Sequence, residues 1–415
     1  MTHPMTLIAA FKSLEGEVAY LSVYDAAMKM WPVPYDEMEV SSRFGETHVV
    51  ASGPRTAPPL VLLHGYWATL TMWAPNISEF SKGHRVYAID VMGQPGRSIP
   101  GEPIRNAADH VAWLAAVLDA LHLDRVCLAG MSFGGWLALN YAVAAPERVQ
   151  ALVLLSPAAS VFALVKQFAL RGALMMLLPT RFTVNAFMRW LGFKDDPDDF
   201  IDRDRMSRAI DLMYLGLKHF RFPRETSRIA PTVFSDAQLR AMQVPTLLLM
   251  GEDEVIYDPA KAMSRARRLI PDLEGELVVG CSHEMTVSQH RIVDGRVVDF
   301  LNRHESQHSR SSPNTGAAPA SSSANPNKRA HIDRRRGSID DLQQGPQGDT
   351  GQQQDEEDPS DDGGGLSPLA HQARIRDADR DGGHRDQAMQ RQPMGETQVG
   401  QHVGNSLRIK SMASL

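Results

Sequence analysis

Gly130-Met131-Ser132-Phe133-Gly134 sets a serine between two glycines, the residue pattern in this chain with the plainest chemical meaning. A serine hydroxyl attacks a carbonyl only when a base takes its proton. The base in turn needs a carboxylate that fixes its tautomer and stabilises the imidazolium. Both residue types follow downstream: His283 in Gly280-Cys281-Ser282-His283, and three carboxylates, Glu252, Asp253 and Glu254, in the turn after Gly251. The chemistry these residues could perform together is acyl transfer through a covalent intermediate on Ser132.

A chain of this length shows G-x-S-x-G by chance about one time in ten, so its surroundings have to decide. An apolar run, Val126 to Ala129, reads as a strand directly before the motif, and Phe133 to Ala144 reads as a helix directly after it. A sharp strand-to-helix turn holds the serine hydroxyl out at the end of a sheet and needs glycines where backbones press together. The helix N-terminus beside it favours developing negative charge. A tetrahedral oxyanion also needs two fixed N–H donors. The expected donors are the amide of Phe133 and, from the loop His64-Gly65-Tyr66-Trp67 after another strand, the amide of Tyr66. His64 reads as a loop-packing residue and Asp90, in Asp90 to Ser98, as loop scaffold. Asp258 reads as a helix cap before Pro259.

The elements that must position these residues alternate between strand and helix, the signature of a mostly parallel α/β sheet. Strands are expected at Pro59–Leu63, Arg85–Ile89, Val126–Ala129, Ala151–Leu155, Thr246–Met250 and Leu277–Val279, after a hairpin of Met38–Ser42 and Thr47–Ser52. Their unbroken apolar character fits burial on both faces. Helices are expected at Asn106–Leu121, Phe133–Ala144, Pro259–Leu269 and Val287–Leu301. The core is thus divided into residues 1–157 and 242–303. Residues 158–241, rich in Met, Phe and Leu, interrupt the alternation and read as a helical cap over the carboxyl ends of the strands, where such sheets bind ligands. Met175, Met176, Met188, Met206 and Met213 are candidates to line an adaptable apolar pocket, against the plainer reading of core packing. Residues 304–415 turn rich in Ser, Gln, Gly, Asp and Pro and read as a disordered tail, dispensable for folding and activity. Its basic stretch (Lys328, Arg329, Arg334 to Arg336) and acidic stretch (Gln352 to Asp358) read as solvated charge.

A net charge of -6 carries no basic footprint for nucleic acid and leaves small neutral ligands as the expected partners. Cys127 and Cys281 lack the spacing of a disulfide framework or a metal site, so no metal is expected. The apolar run Met5 to Phe11 lacks the flanks of a secretory signal, and no stretch is long enough to span a bilayer. The expectation is a cytoplasmic protein without membrane contact.

With these residues in place, the chain resembles the α/β-hydrolase superfamily, and more narrowly bacterial carboxylesterases of the naproxen esterase type. The narrower resemblance rests on Trp31-Pro32-Val33-Pro34-Tyr35, Arg43-Phe44-Gly45, the His64-Gly65 loop with Met72-Trp73, and Gly251-Glu252-Asp253-Glu254-Val255-Ile256-Tyr257. It implies the α/β-hydrolase fold, a triad in the order serine, acid, histidine, no cofactor, and hydrolysis of small-molecule carboxylic esters. That order argues against Asp90 as the acid. In this fold the acid commonly sits three residues after the strand-ending glycine, which selects Glu254, with Asp253 as the runner-up. Ser282 before the histidine and Ser288-Gln289-His290 after it depart from the family's usual Gly and Glu-Gln-Pro. A serine nucleophile argues against dehalogenase or epoxide hydrolase chemistry. The same triad could serve a lactonase, a carbon–carbon bond hydrolase or a lyase, and a slow-turnover ligand sensor is the reading from a different class.

Overall fold

Short apolar runs bounded by turn residues build the centre of a nine-stranded sheet in the computed structural model, which describes residues 7–193, 200–223, 225 and 229–311. The strands are β1 (Tyr35–Ser42), β2 (Gly45–Ser52), β3 (Pro59–Leu63), β4 (Arg85–Ile89), β5 (Ile99–Pro100), β6 (Val126–Met131), β7 (Val149–Leu155), β8 (Thr246–Gly251) and β9 (Leu273–Val278). They lie in the order β1-β2-β4-β3-β6-β7-β8-β9, with β5 against β2. The pairs from β4 to β9 along this order are parallel, and β2 is antiparallel to β1, β4 and β5.

The helices are α1 (Leu14–Met28), α2 (Ile77–Gly83), α3 (Ala107–Ala120), α4 (Phe133–Ala144), α5 (Lys166–Leu177), α6 (Arg181–Trp190), α7 (Phe200–His219), α8 (Asp236–Arg240), α9 (Pro259–Leu269), α10 (Met285–Ser288) and α11 (His290–Ser311). Because successive strand residues point to opposite faces, the central strands feed two cores. Val61, Leu63, Leu128, Leu154 and Leu248 pack with Trp113 of α3, Trp136 of α4 and Met263 of α9. Leu60, Leu62, Ala129, Val153 and Leu249 pack with Tyr20 of α1, Phe80 of α2 and Phe300 of α11. Burial on both sides is why these strands read as continuous apolar runs rather than alternating ones.

Several elements differ from expectation, among them three with a clear physical cause. β9 begins at Leu273, because the edge strand carries Glu274 and Glu276 in half-buried positions and does not look apolar until Leu277. α1 was not anticipated; it buries Tyr20 and Tyr24, one turn apart, on an otherwise mixed surface. The terminal helical run breaks at Gln289 and then continues to Ser311, past the expected tail boundary at His304. The carboxylate of Glu305 explains the extension: it meets His84 Nε2 at 3.0 Å and accepts from Cys127 Sγ at 3.4 Å, both at buried residues beneath the sheet. Residues 312–415, with the basic and acidic stretches noted above, lie outside the described residues. The four helices α5 to α8 stand between β7 and β8, in the stretch expected as a cap. Among the described residues no helix is long and apolar enough to cross a membrane.

Candidate active site

Ser132 is the single residue between the end of β6 and the start of α4, and it adopts φ 53° and ψ −114°. This left-handed region is costly for a side-chain-bearing residue and persists only where the surroundings enforce it. They do so here: Ser132 N–H donates to Leu155 O at 2.9 Å, while its carbonyl accepts from Trp136 N at 3.1 Å and Ala158 N at 2.9 Å. The flanking glycines follow from the tightness of the turn. A Cβ on Gly134 would lie 2.1 Å from Leu63 O, and one on Gly130 2.2 Å from Gly134 O.

The histidine and the acid are brought together by a second close approach. A Cβ on Gly251, at the end of β8, would stand 2.2 Å from Ser282 O. With no side chain there, the loop after β9 lies against the turn after β8, fixed by Asp253 N–H to Cys281 O at 2.9 Å and Ser282 Oγ to Asp253 O at 2.9 Å. His283 Nδ1 then lies 2.9 Å from Glu254 Oε2. The other oxygen of Glu254 accepts from the N–H groups of Val255 at 2.8 Å and Ile256 at 3.1 Å. Glu252 and Asp253 are exposed, whereas Glu254 is buried. Burial pushes the Glu254 carboxyl upward, but the adjacent His283 and the hydrogen bonds outweigh it and hold the group below the usual carboxylate value. An ionised carboxylate only accepts, so Nδ1 carries the hydrogen and Nε2 is left as the basic atom.

Tyr66 follows Gly65 in the loop after β3, and Phe133 follows Ser132 directly. Phe133 opens α4, where first-turn N–H groups have no carbonyl within the helix to bond. The Gly65 loop reaches the nucleophile closely, since a Cβ on Gly65 would be 3.5 Å from Ser132 Cβ. Buried His64 braces that loop: its Nδ1 donates to Gly65 O at 2.8 Å and its Nε2 accepts from Val91 N at 2.9 Å. Burial lowers its pKa, which suits the neutral ring these bonds require. Asp90 accepts from Tyr24 Oη, Leu70 N and Arg97 N at 2.8 to 2.9 Å and so ties three segments together. Asp258 accepts from Lys261 N at 3.0 Å as the cap of α9.

Two residues of this loop system carried no sequence signal. Trp67 takes φ 55°, a conformation unmarked by its residue type, and its N–H donates to Gln94 Oε1 at 3.1 Å. A cavity of about 140 Å³ opens on Ser132 and His283, with Tyr66, Trp67, Phe168 and Phe187 among its walls. Of the five methionines considered, Met188, Met206 and Met213 line it; Met175 is buried elsewhere and Met176 is exposed. Among the described residues no group of three or more His, Cys, Asp or Glu could hold a metal ion.

Comparison with known proteins agrees with this architecture. The alpha/beta hydrolase fold family matches residues 58–287. Over 288 residues the chain is 35% identical to the protein named uncharacterized carboxylesterase nap of Bacillus subtilis (strain 168), covering 69% of this chain and 94% of that one. It is 34% identical over 299 residues to carboxylesterase YbfK of the same organism, covering 70% and 96%. The crystal structure of naproxen esterase (carboxylesterase NP) from Bacillus subtilis superposes with a TM-score of 0.64 at 34% identity, over 70% of this chain and 99% of that one. The chain belongs to the α/β-hydrolase family.

Proposed function

We propose that this protein is a serine carboxylesterase, with Ser132 as nucleophile, His283 as general base and acid, and Glu254 as the group that orients and stabilises the histidine. The observation that carries the reading is the join of three features: a strained serine at a strand-to-helix turn, a histidine on the same cavity, and a buried carboxylate on that histidine's far nitrogen.

In the reaction, Ser132 Oγ bonds to the ester carbonyl carbon as its proton passes to His283 Nε2. The carbonyl oxygen becomes an oxyanion held by the backbone N–H groups of Tyr66 and Phe133, each donor contributing roughly 2.7–4 kcal/mol. Collapse of this intermediate breaks the bond to the alcohol oxygen, which takes the proton from His283 and leaves. Water then attacks the acyl-enzyme, gives a proton to His283, and the carboxylic acid departs as Ser132 recovers its hydrogen. Glu254 stays ionised throughout and stabilises the imidazolium.

The aromatic and methionine walls suit a small, largely apolar ester, and residues 158–241 serve as the cap that supplies much of that wall. Two buried, unbridged cysteines suit a cytoplasmic setting. Hydrolysis of a p-nitrophenyl ester by the wild-type protein, lost in Ser132→Ala with the fold intact, supports this reading. Negligible turnover in the wild type across esters of graded acyl length would leave the ligand-sensor reading in its place.

A further inference from the structure

Helix α5 is apolar on two opposite sides. Inward, Phe168 lines the cavity and Met175 is buried. Outward, Leu170, Leu174 and Leu177 recur at the spacing of one helical face and are 72%, 51% and 78% exposed. Leu178 follows at 58%, and Phe182, in the first turn of α6, at 80%. Large apolar side chains gathered in the open on adjacent turns form the kind of surface that marks a contact site.

The charges around this face choose the partner. Lys166, Arg171, Arg181 and Arg189 are all exposed, and no Asp or Glu occurs from Lys166 to Trp190, in a chain whose net charge is -6. Arg181 pairs with Asp211 of α7, and Arg171 lies over the ring of Trp190 at 5.1 Å. A second copy docking about a two-fold axis would set the same cations against one another. An anionic lipid surface complements the leucines together with the exposed cations Lys166 and Arg171 of the same helix.

We propose that the outer face of α5, with the start of α6, docks this protein on anionic lipid bilayers. Among the described residues no helix is long and apolar enough to cross a membrane, and a helix lying in the interface needs no such length. Docking by this face turns the roof of the cavity, where Phe168, Phe187 and Met188 sit, toward the lipid. The esters it would then meet are amphiphiles carried in that lipid, and this last step alone rests on the esterase reading.

Flotation of the full chain with vesicles of phosphatidylcholine and phosphatidylglycerol, against phosphatidylcholine alone, tests the docking without turnover. Binding is expected only to the anionic vesicles, weakened about tenfold or more in the double variant L174E/L177E and about fivefold in K166Q. Melting temperature and hydrolysis of a soluble p-nitrophenyl ester serve as controls for fold and site, and both stay at wild-type values in these variants. If the double variant fails to fold, Leu177→Ser replaces it. No binding to anionic vesicles overturns the proposal. So does undiminished binding in the leucine variants, which would assign the contact to another part of the chain. Dimerisation that is lost in L174E/L177E, with no vesicle binding, would give the face to a second copy.

Discussion

The ring of Tyr66 stacks on the ring of Phe133, with centroids 4.0 Å apart and planes inclined by 15°. These are the two residues whose backbone N–H groups are proposed to hold the oxyanion, so the spacing of the donors is braced by their own side chains. Phe133 in turn stacks on Trp136 at 5.6 Å, and the Tyr66 hydroxyl donates to Ile229 O at 2.7 Å. Tyr66→Ala is expected to lower kcat about 10- to 100-fold, part of the loss seen when a donor is removed outright, whereas Tyr66→Phe stays within about twofold. Phe168→Ala, which changes the same cavity wall at a ring that meets Phe187 and Trp190, should act mainly on KM. Steady-state kinetics of the three variants checks this; equal kcat losses in Tyr66→Ala and Phe168→Ala would mean the stack does no more than shape the cavity.

Glu254→Gln should reduce kcat about 10⁴-fold, since an amide favours the wrong histidine tautomer, while Asp253→Asn stays within about twofold. The pKa of Glu254 is depressed in the folded protein, so its stabilisation is present above the unfolded value of about 4.3 and is lost as pH falls through the lower folded value. Thermal melts across pH should therefore show the gap between wild type and Glu254→Gln constant near neutrality and closing in acid. A large kinetic loss in Asp253→Asn alone would reassign the acid.

Much of this arrangement is legible in the sequence, for reasons specific to each part. The strands β3, β6, β7 and β8 announce themselves because helices cover both faces and leave no room for polar residues. β9 hides because an edge strand tolerates Glu274 and Glu276, and α1 hides because its buried tyrosines leave the rest of the surface mixed. Three adjacent carboxylates look alike in composition, and only the backbone after Gly251 separates buried Glu254 from exposed Glu252 and Asp253. The left-handed Trp67 and its bond to Gln94 leave no trace, since neither residue type favours that conformation.

Asp294 of α11 gives a pH dependence of the opposite sign. Burial raises its carboxyl to about 7, against the hydrogen bond it accepts from Asn76 Nδ2 at 2.7 Å. The unfolded group ionises near 3.9, so between about pH 4 and 7 the folded state holds a proton that the unfolded state has released, and stability falls as pH rises. Asp294→Asn keeps an acceptor for Asn76 and cannot ionise. Its melting temperature should match wild type below about pH 4 and exceed it above pH 7 by about 2 °C or more. Parallel melting curves across the range would contradict this.

Glu305 sets where the chain can be shortened. Removing residues after Arg303 leaves buried His84 and Cys127 without the carboxylate they meet, and should lower the melting temperature by several degrees, about 2–4 °C per kcal/mol lost. Removing residues after Ser311 keeps that contact and should change neither the melting temperature nor ester hydrolysis. Equal stability of the two truncations, read by calorimetry, would show that Glu305 contributes nothing.

The covalent step on Ser132 is open to direct measurement. Rapid acid quenching during turnover of a p-nitrophenyl ester, followed by mass analysis of proteolytic fragments, should find the acyl mass on the peptide bearing Ser132 and on no peptide of Ser132→Ala. Continued hydrolysis with no acyl adduct, or an adduct on a different residue, would contradict the account.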